Sequence, residues 1–357
     1  MSVEVTTSDA EAAQRAIEYA FEQGWTDGLP IVPATDELLA RFLAATPRSV
    51  DEVLCSGPQW DVSCTIGQAA VNAIMSGCRP EYFPVVLAAL EALWGGEKHV
   101  NPLLLSTTGS APLLVVNGPI RRELDINCEG SVFGSGFRAN ATIGRALRLI
   151  VLNVFAMRPH ELDQACQASP VKYTSCIGEN EEESPWEPLH VELGFRPDQS
   201  TVATVMARGT MPVENRHCEV PEKILQNVAE AMAYGGAQFG PYLPMLVVMG
   251  PEHAQLCASQ GWSKQQVKQY LFEHYGRTIG ELKRMGKGYF EGSAGSFRVV
   301  DVPSHELMEG TENLPHDHFW RFARSVNDIM LVVAGANVAG MSTVVPPIGR
   351  VGAIARV

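Results

Sequence analysis

Cysteine is the most nucleophilic side chain a protein carries near neutral pH, and Cys176 heads an unusual run. Glu179, Glu181, Glu182, Glu183 and Asn180 follow it within seven residues, and Pro185, Trp186, Pro188 and His190 close the stretch. A thiol among carboxyl groups suits nucleophilic or acid–base chemistry, with Cys176 as nucleophile or acid and Glu179 or Glu181 moving protons. The prolines predict that the acidic run is held rather than floppy. Carboxylates oppose a thiolate, so a cation is required, and Arg138, His190 or His217 is expected to supply it. His217 lies in VENRHCEVP, with Asn215 and Cys218 beside it. The ordinary alternative is a core cysteine followed by solvated glutamates.

The substrate for such chemistry needs a holder. In INCEGSVFGSGFRANATIGRALRLIVLN, Gly130, Gly134 and Gly136 form a loop, and a helix is expected to start near Asn140 or Thr142. Backbone amides at a loop-to-helix junction favour an anion, and Arg138 and Arg145 add charge. The spacing is neither a Walker A motif nor a dinucleotide fingerprint. The expected substrate-binding set is Arg138, Asn140, Gly134, Gly136, Asp27 on the turn of GWTDGLPIVP, and Asn117 at a strand exit. Asp27 has a second reading, as a turn that fastens the N-terminal arm to the body. In PHDHF, an extended chain would aim His316 and His318 the same way, as a metal pair requires. No other cofactor is expected.

The elements that must position these residues are legible in outline. Helices are expected over about 8–23 and 36–45, and helical pattern runs from 65 to 94. APLLVVNGPI, LPMLVVMGPEHA and DIMLVVAGA read as strands buried on both faces, and TVATVMA as a further strand. The first two share an apolar run and a Gly-Pro exit, and NATIGRALR is echoed by GRTIGELKR. The pattern predicts an α/β protein with an internal duplication of two similar halves. The expected organisation is an N-terminal helical arm (1–60), a first half (61–160), an acidic connecting segment carrying Cys176 (161–220) and a second half (221–357). The last contains a Gly-rich inserted loop, 284–327.

Length and charge limit the rest. A chain of 357 residues can bury a large core. A net charge of -13 without a basic cluster argues against nucleic acid and anionic membranes. The first residues lack a basic start and an apolar run, so no secretory signal is expected. Eight scattered cysteines without a CxxC pair suit a reducing, cytoplasmic compartment. A homo-oligomer is expected.

GWTDGLPIVPAT, MSGCRPEYFPVVLAAL, PLLVVNGPIRRELDIN, GFRANATIGRALRLI, ENEEESPWEPLHVELGF and DIMLVVAG occur in that order. Together they resemble a family of uncharacterised bacterial proteins, across most of residues 15–345. That family is associated with partners or fused domains carrying a (seleno)cysteine-Gly-Ser-Cys motif, which this chain lacks. The resemblance implies sulfur chemistry shared with a thiol or selenol partner protein. The chain departs from the family's pattern after residue 205, at GTMPVENRHCEVP and around LPHDHFW.

The function expected is that of an enzyme acting on a small carboxylate or carbonyl compound, by bond cleavage or acyl or thioester-type transfer centred on Cys176. One alternative is a metal-dependent lyase or hydratase using His316 and His318. Another is a non-catalytic subunit of a thiol or selenol partner enzyme.

Overall fold

The computed structural model describes residues 7–57, 62–95, 104–234, 244–285, 314–348 and 353–357. The chain forms helices and mixed sheets, an α/β fold. It begins with α1 (Thr7–Glu22), α2 (Asp36–Leu43), the ribbon β1 (Val53–Gly57) and β2 (Val62–Thr65), α3 (Ile66–Ser76) and α4 (Phe83–Gly95). Next come β3 (Ala111–Asn117), α5 (Ile120–Glu123), α6 (Arg138–Asn153), β4 (Cys176–Gly178), α7 (Leu189–Glu192) and β5 (Thr201–Ala207). The remainder is β6 (Met211–Glu214), α8 (Pro221–Tyr234), β7 (Met245–Met249), α9 (Pro251–Ser259), α10 (Lys264–His274), β8 (Gly276–Thr278), α11 (Ile279–Arg284), β9 (Phe319–Arg321), β10 (Ile329–Val333), β11 (Met341–Val345) and β12 (Ala353–Arg356).

Local chemistry accounts for several of these boundaries. Thr35 caps α2 by accepting from the Leu38 amide, and Thr65 and Gln68 form a capping box on α3. Helix α4 is apolar almost all round because it is buried, packing on α6 and on β5 and β12. Every residue of β3 and of β5 is buried, as their unbroken apolar runs require.

The chain divides into two compact units. Unit 1 comprises 1–179, 190–208 and 352–357, and unit 2 comprises 180–189 and 209–351. This differs from the expected organisation. The stretch 161–220 is not a separate connector, because the chain enters unit 2 at Asn180, returns at His190 and crosses again after Arg208. Much of the expected inserted loop, residues 286–313, lies outside the described residues.

Each unit holds one four-stranded sheet. The order is β4-β3-β5-β12 in unit 1 and β10-β7-β11-β6 in unit 2. In both, the first pair is parallel and the next two pairs are antiparallel. Strands β3 and β7, the two runs with Gly-Pro exits, occupy corresponding places. A Cβ on Gly118 would lie 2.3 Å from the Gln199 carbonyl oxygen, and one on Gly250 would lie 2.0 Å from that of Met341. Glycine is thus demanded at both exits by the close approach of the chain around the start of the antiparallel neighbour. Shared strand order does not by itself make one half a copy of the other. The second sequence echo takes two forms: NATIGRALR lies within α6, whereas GRTIGELKR spans β8 and α11.

The outer strands are exchanged. β6 follows β5 in the chain but pairs with β11, and β12 follows β11 but pairs with β5. Among the described residues no helix is long and apolar enough to cross a membrane.

Candidate functional site

A row of buried polar side chains crosses the end of the unit 1 sheet. Asn117, the last residue of β3, pairs in register with Thr201, the first of β5. On its other side β4 runs parallel, with Val116 opposite Gly178, so that Glu179 comes next to Asn117. The Glu179 amide donates to the Val116 carbonyl at 3.1 Å, and Asn117 Nδ2 donates to Glu179 Oε2 at 2.6 Å. Asn117, Glu179 and Thr201 are all 0% exposed. The Thr201 Oγ1 has no hydrogen-bond partner among the described residues. Burying polar groups costs roughly 1–3 kcal/mol each unless hydrogen bonds compensate. Such a row at the carboxyl ends of parallel strands is where α/β sheets place ligands.

The loop beyond β3 adds a thiol and a cation. Past Gly118-Pro119, α5 carries Arg121, which is 3% exposed. The chain turns at Asp125, with φ 54°, and lies against β4, where the Gly178 amide donates to the Asn127 carbonyl at 3.0 Å. This brings the half-buried Cys128 to Arg121, with Nη1 3.7 Å from Sγ. A Cβ on Gly178 would lie 3.0 Å from Cys128 Cβ and 3.4 Å from Arg121 Cδ, so the side chain missing at Gly178 makes room for both. A cation in hydrogen-bond contact with a thiol is the arrangement that favours a thiolate.

The other expected residues are placed differently. Cys176 is a core residue, 4% exposed; burial, and then Cys78, push its thiol well above the ordinary cysteine range, the opposite of activation. The acidic run behind it is divided: Glu179 belongs to unit 1, whereas the stretch from Asn180 belongs to unit 2. The Asn180 amide donates to the Val333 carbonyl there, and Glu183 accepts from Gln255 and Asn337. Glu181 is half-buried in unit 2. The run is held, as its prolines suggested, but it does not form one wall beside Cys176.

The anion loop is also rearranged. Helix α6 starts at Arg138, earlier than expected, and both Nε and Nη2 of Arg138 donate to the Gly77 carbonyl, closing the end of α3. Asn140 is a buried bolt: its Oδ1 accepts from the Asn127 amide, and its Nδ2 donates to the Asn127 and Cys176 carbonyls. Its hydrogen bonds are thus used within the protein and not left for a substrate. Gly134 lies in a tight turn closed by a bond to the Ser131 carbonyl, and Gly136 has φ 113°. Asp27 takes both Nε and Nη2 of Arg145, at 2.8 and 2.7 Å, so its role is to fasten the arm.

The histidines separate too. His190 is wholly buried in unit 1. His217 is exposed in a unit 2 turn, with φ 62°. His316 and His318 sit in a turn closed by the His318 amide and the Pro315 carbonyl, so the extended geometry expected of a metal pair is not formed. Both are exposed, and no group of three potential metal ligands gathers among the described residues.

Unit 1 also contains a 630 Å³ cleft lined by Arg41, Arg79 and Arg138 and by Glu81, Glu123 and Asp125. Asp125 precedes Cys128 by three residues, so the cleft reaches the root of the thiol-bearing loop. Compared with known proteins, the chain matches no family model and no curated protein.

Proposed function

We propose that the chain is an enzyme acting on a small carboxylate or carbonyl compound, and that its chemistry lies at the strand ends of unit 1 with Cys128 as nucleophile. The contact between Cys128 and the buried Arg121 carries this reading. Arg121 is the cation that a thiolate needs, and Glu179, oriented by Asn117, is the carboxyl group available for proton transfer. Arg41 and Arg79 of the cleft are the cations that would pair with a substrate carboxylate. Addition of the Cys128 sulfur to a carbonyl carbon, with a proton delivered to the carbonyl oxygen, is the step these groups suit. The arrangement leaves Cys176 as packing.

Iodoacetamide labelling read for each cysteine by mass spectrometry tests this. Cys128 is expected to react at least about tenfold faster than the exposed Cys166 and to lose that advantage in Arg121→Met. Cys176 is expected to react only on unfolding. If Cys128 reacted no faster than Cys166, the nucleophile assignment would fall, and the chain would read better as a non-catalytic subunit of a thiol or selenol enzyme.

A further inference from the structure

A second cavity, of 530 Å³, lies in unit 1 beneath the N-terminal arm. Its walls are apolar for the most part: Tyr19 and Ala20 of α1, Trp25, Ile31, Val71 and Met75. Tyr19 and Trp25 meet edge to face, with centroids 5.6 Å apart. The arm is fixed in place by the Asp27–Arg145 pair, so the roof is held and not merely draped.

One part of this lining is polar. Asn72, Asn153 and Arg158 belong to it. Asn153 Nδ2 donates to the Trp25 carbonyl and to Asn72 Oδ1, an arrangement that fixes which way the amide points. Its Oδ1 is buried without a hydrogen bond, and so is Arg158 Nε. Arg158 has no ion-pair or side-chain hydrogen-bond partner among the described residues. Asp36, the carboxylate in the lining, does not pair with it. An arginine without a counter-ion at the edge of an apolar cavity is a poor arrangement for stability and a good one for a carboxylate.

We propose that this cavity binds a small monocarboxylate with a compact aromatic or aliphatic body, its carboxylate on Arg158 and its body packed against Trp25, Ile31 and Met75. The volume falls within the range of small-molecule sites. The proposal is independent of Cys128, because it concerns different residues and a different cavity.

Calorimetric titration of the full chain with phenylacetate, hexanoate and neutral phenylacetamide tests it, with Trp25 fluorescence as a second readout. The acids are expected to bind at least about tenfold more tightly than the amide. Arg158→Met should abolish that preference, and Val71→Phe, which fills the cavity, should weaken all three ligands, with circular dichroism confirming that both variants are folded. Should Arg158→Met fail to fold, the ratio of acid to amide on the unaltered chain decides. Equal affinities, no binding of either acid up to about 10 mM, or binding indifferent to Arg158→Met would each overturn the proposal.

Discussion

The two sheets invite comparison because their strand order and orientation coincide while their strand ends do not. In unit 1, the end of β3 presents Asn117 beside Glu179 and Thr201, all inaccessible to solvent. In unit 2, the end of β7 presents Met249 opposite Val333, both apolar. The polar groups nearby are committed: the Ser342 hydroxyl serves the Gly250 amide and His253, and His253 Nε2 meets the Asn215 carbonyl. One arrangement of strands therefore carries two kinds of end, one whose paired strand termini are apolar and one whose termini are polar. Strand order alone does not decide which kind of end a sheet carries.

The comparison can be broken by exchange. Asn117→Met puts the unit 2 residue into unit 1 and removes a donor from the buried Glu179. A loss of about 3 kcal/mol is expected, read by denaturant unfolding. Asn117→Met combined with Glu179→Val removes both partners and should recover part of that loss, because neither member of the pair is then left buried without the other. A double variant as unstable as the sum of its parts would show that the pair is not a unit.

Gly118→Ala and Gly250→Ala test the likeness rather than the contrast. Each should cost about 2–3 kcal/mol, since each new Cβ meets a backbone carbonyl that cannot easily retreat. A large effect in only one would mean that the two exits are not equivalent.

Asp27→Asn, which weakens the half-buried clamp on Arg145, should cost about 1–2 kcal/mol and speed hydrogen exchange in the arm, residues 7–35. Arg145 retains its bonds to the Leu29 and Pro30 carbonyls, so the body of unit 1 should be little changed.

The smallest effect is one of pH. Burial holds the His253 pKa below its ordinary 6.5, against the opposing influence of the Asn215 carbonyl and Glu252. The unfolded chain then takes up the proton first, so unit 2 should lose stability as pH falls below about 6.5 and gain none above it. His253→Gln should flatten that slope in thermal melts.

Much of the frame was legible in the sequence. β3, β7 and β10 announce themselves because strands covered on both faces need continuous apolar runs. The helix of residues 138–153 was clear in kind but begins two residues before Asn140, since nothing in Phe137 caps it through a side chain. The short outer strands β6 and β12 left no pattern, having only four residues each. The candidate site was only half readable. Glu179 stood out for its company, but that company misled, because the chain changes unit directly after it. The meeting of Arg121 and Cys128 depends on the loop at Asn127 lying along β4, a contact about 50 residues long-range in sequence that no spacing records. The only local hint was Gly178, and a glycine next to Glu179 reads just as well as a turn.

The exchanged outer strands bear on how the protein is made. β12 closes the sheet of unit 1 by setting Arg356 against Thr201, the residue that in turn pairs with Asn117. A ribosome that has synthesised β3, β4 and β5 has therefore produced the polar row but left the edge of β5 open. That edge stays open while residues 209–351 of unit 2 are translated, as a ladder of unpaired amides and carbonyls able to recruit strands from neighbouring nascent chains. Unit 2 is under no such delay, because β6 is already made when β11 arrives. The part of the molecule that begins folding first is the part that finishes last.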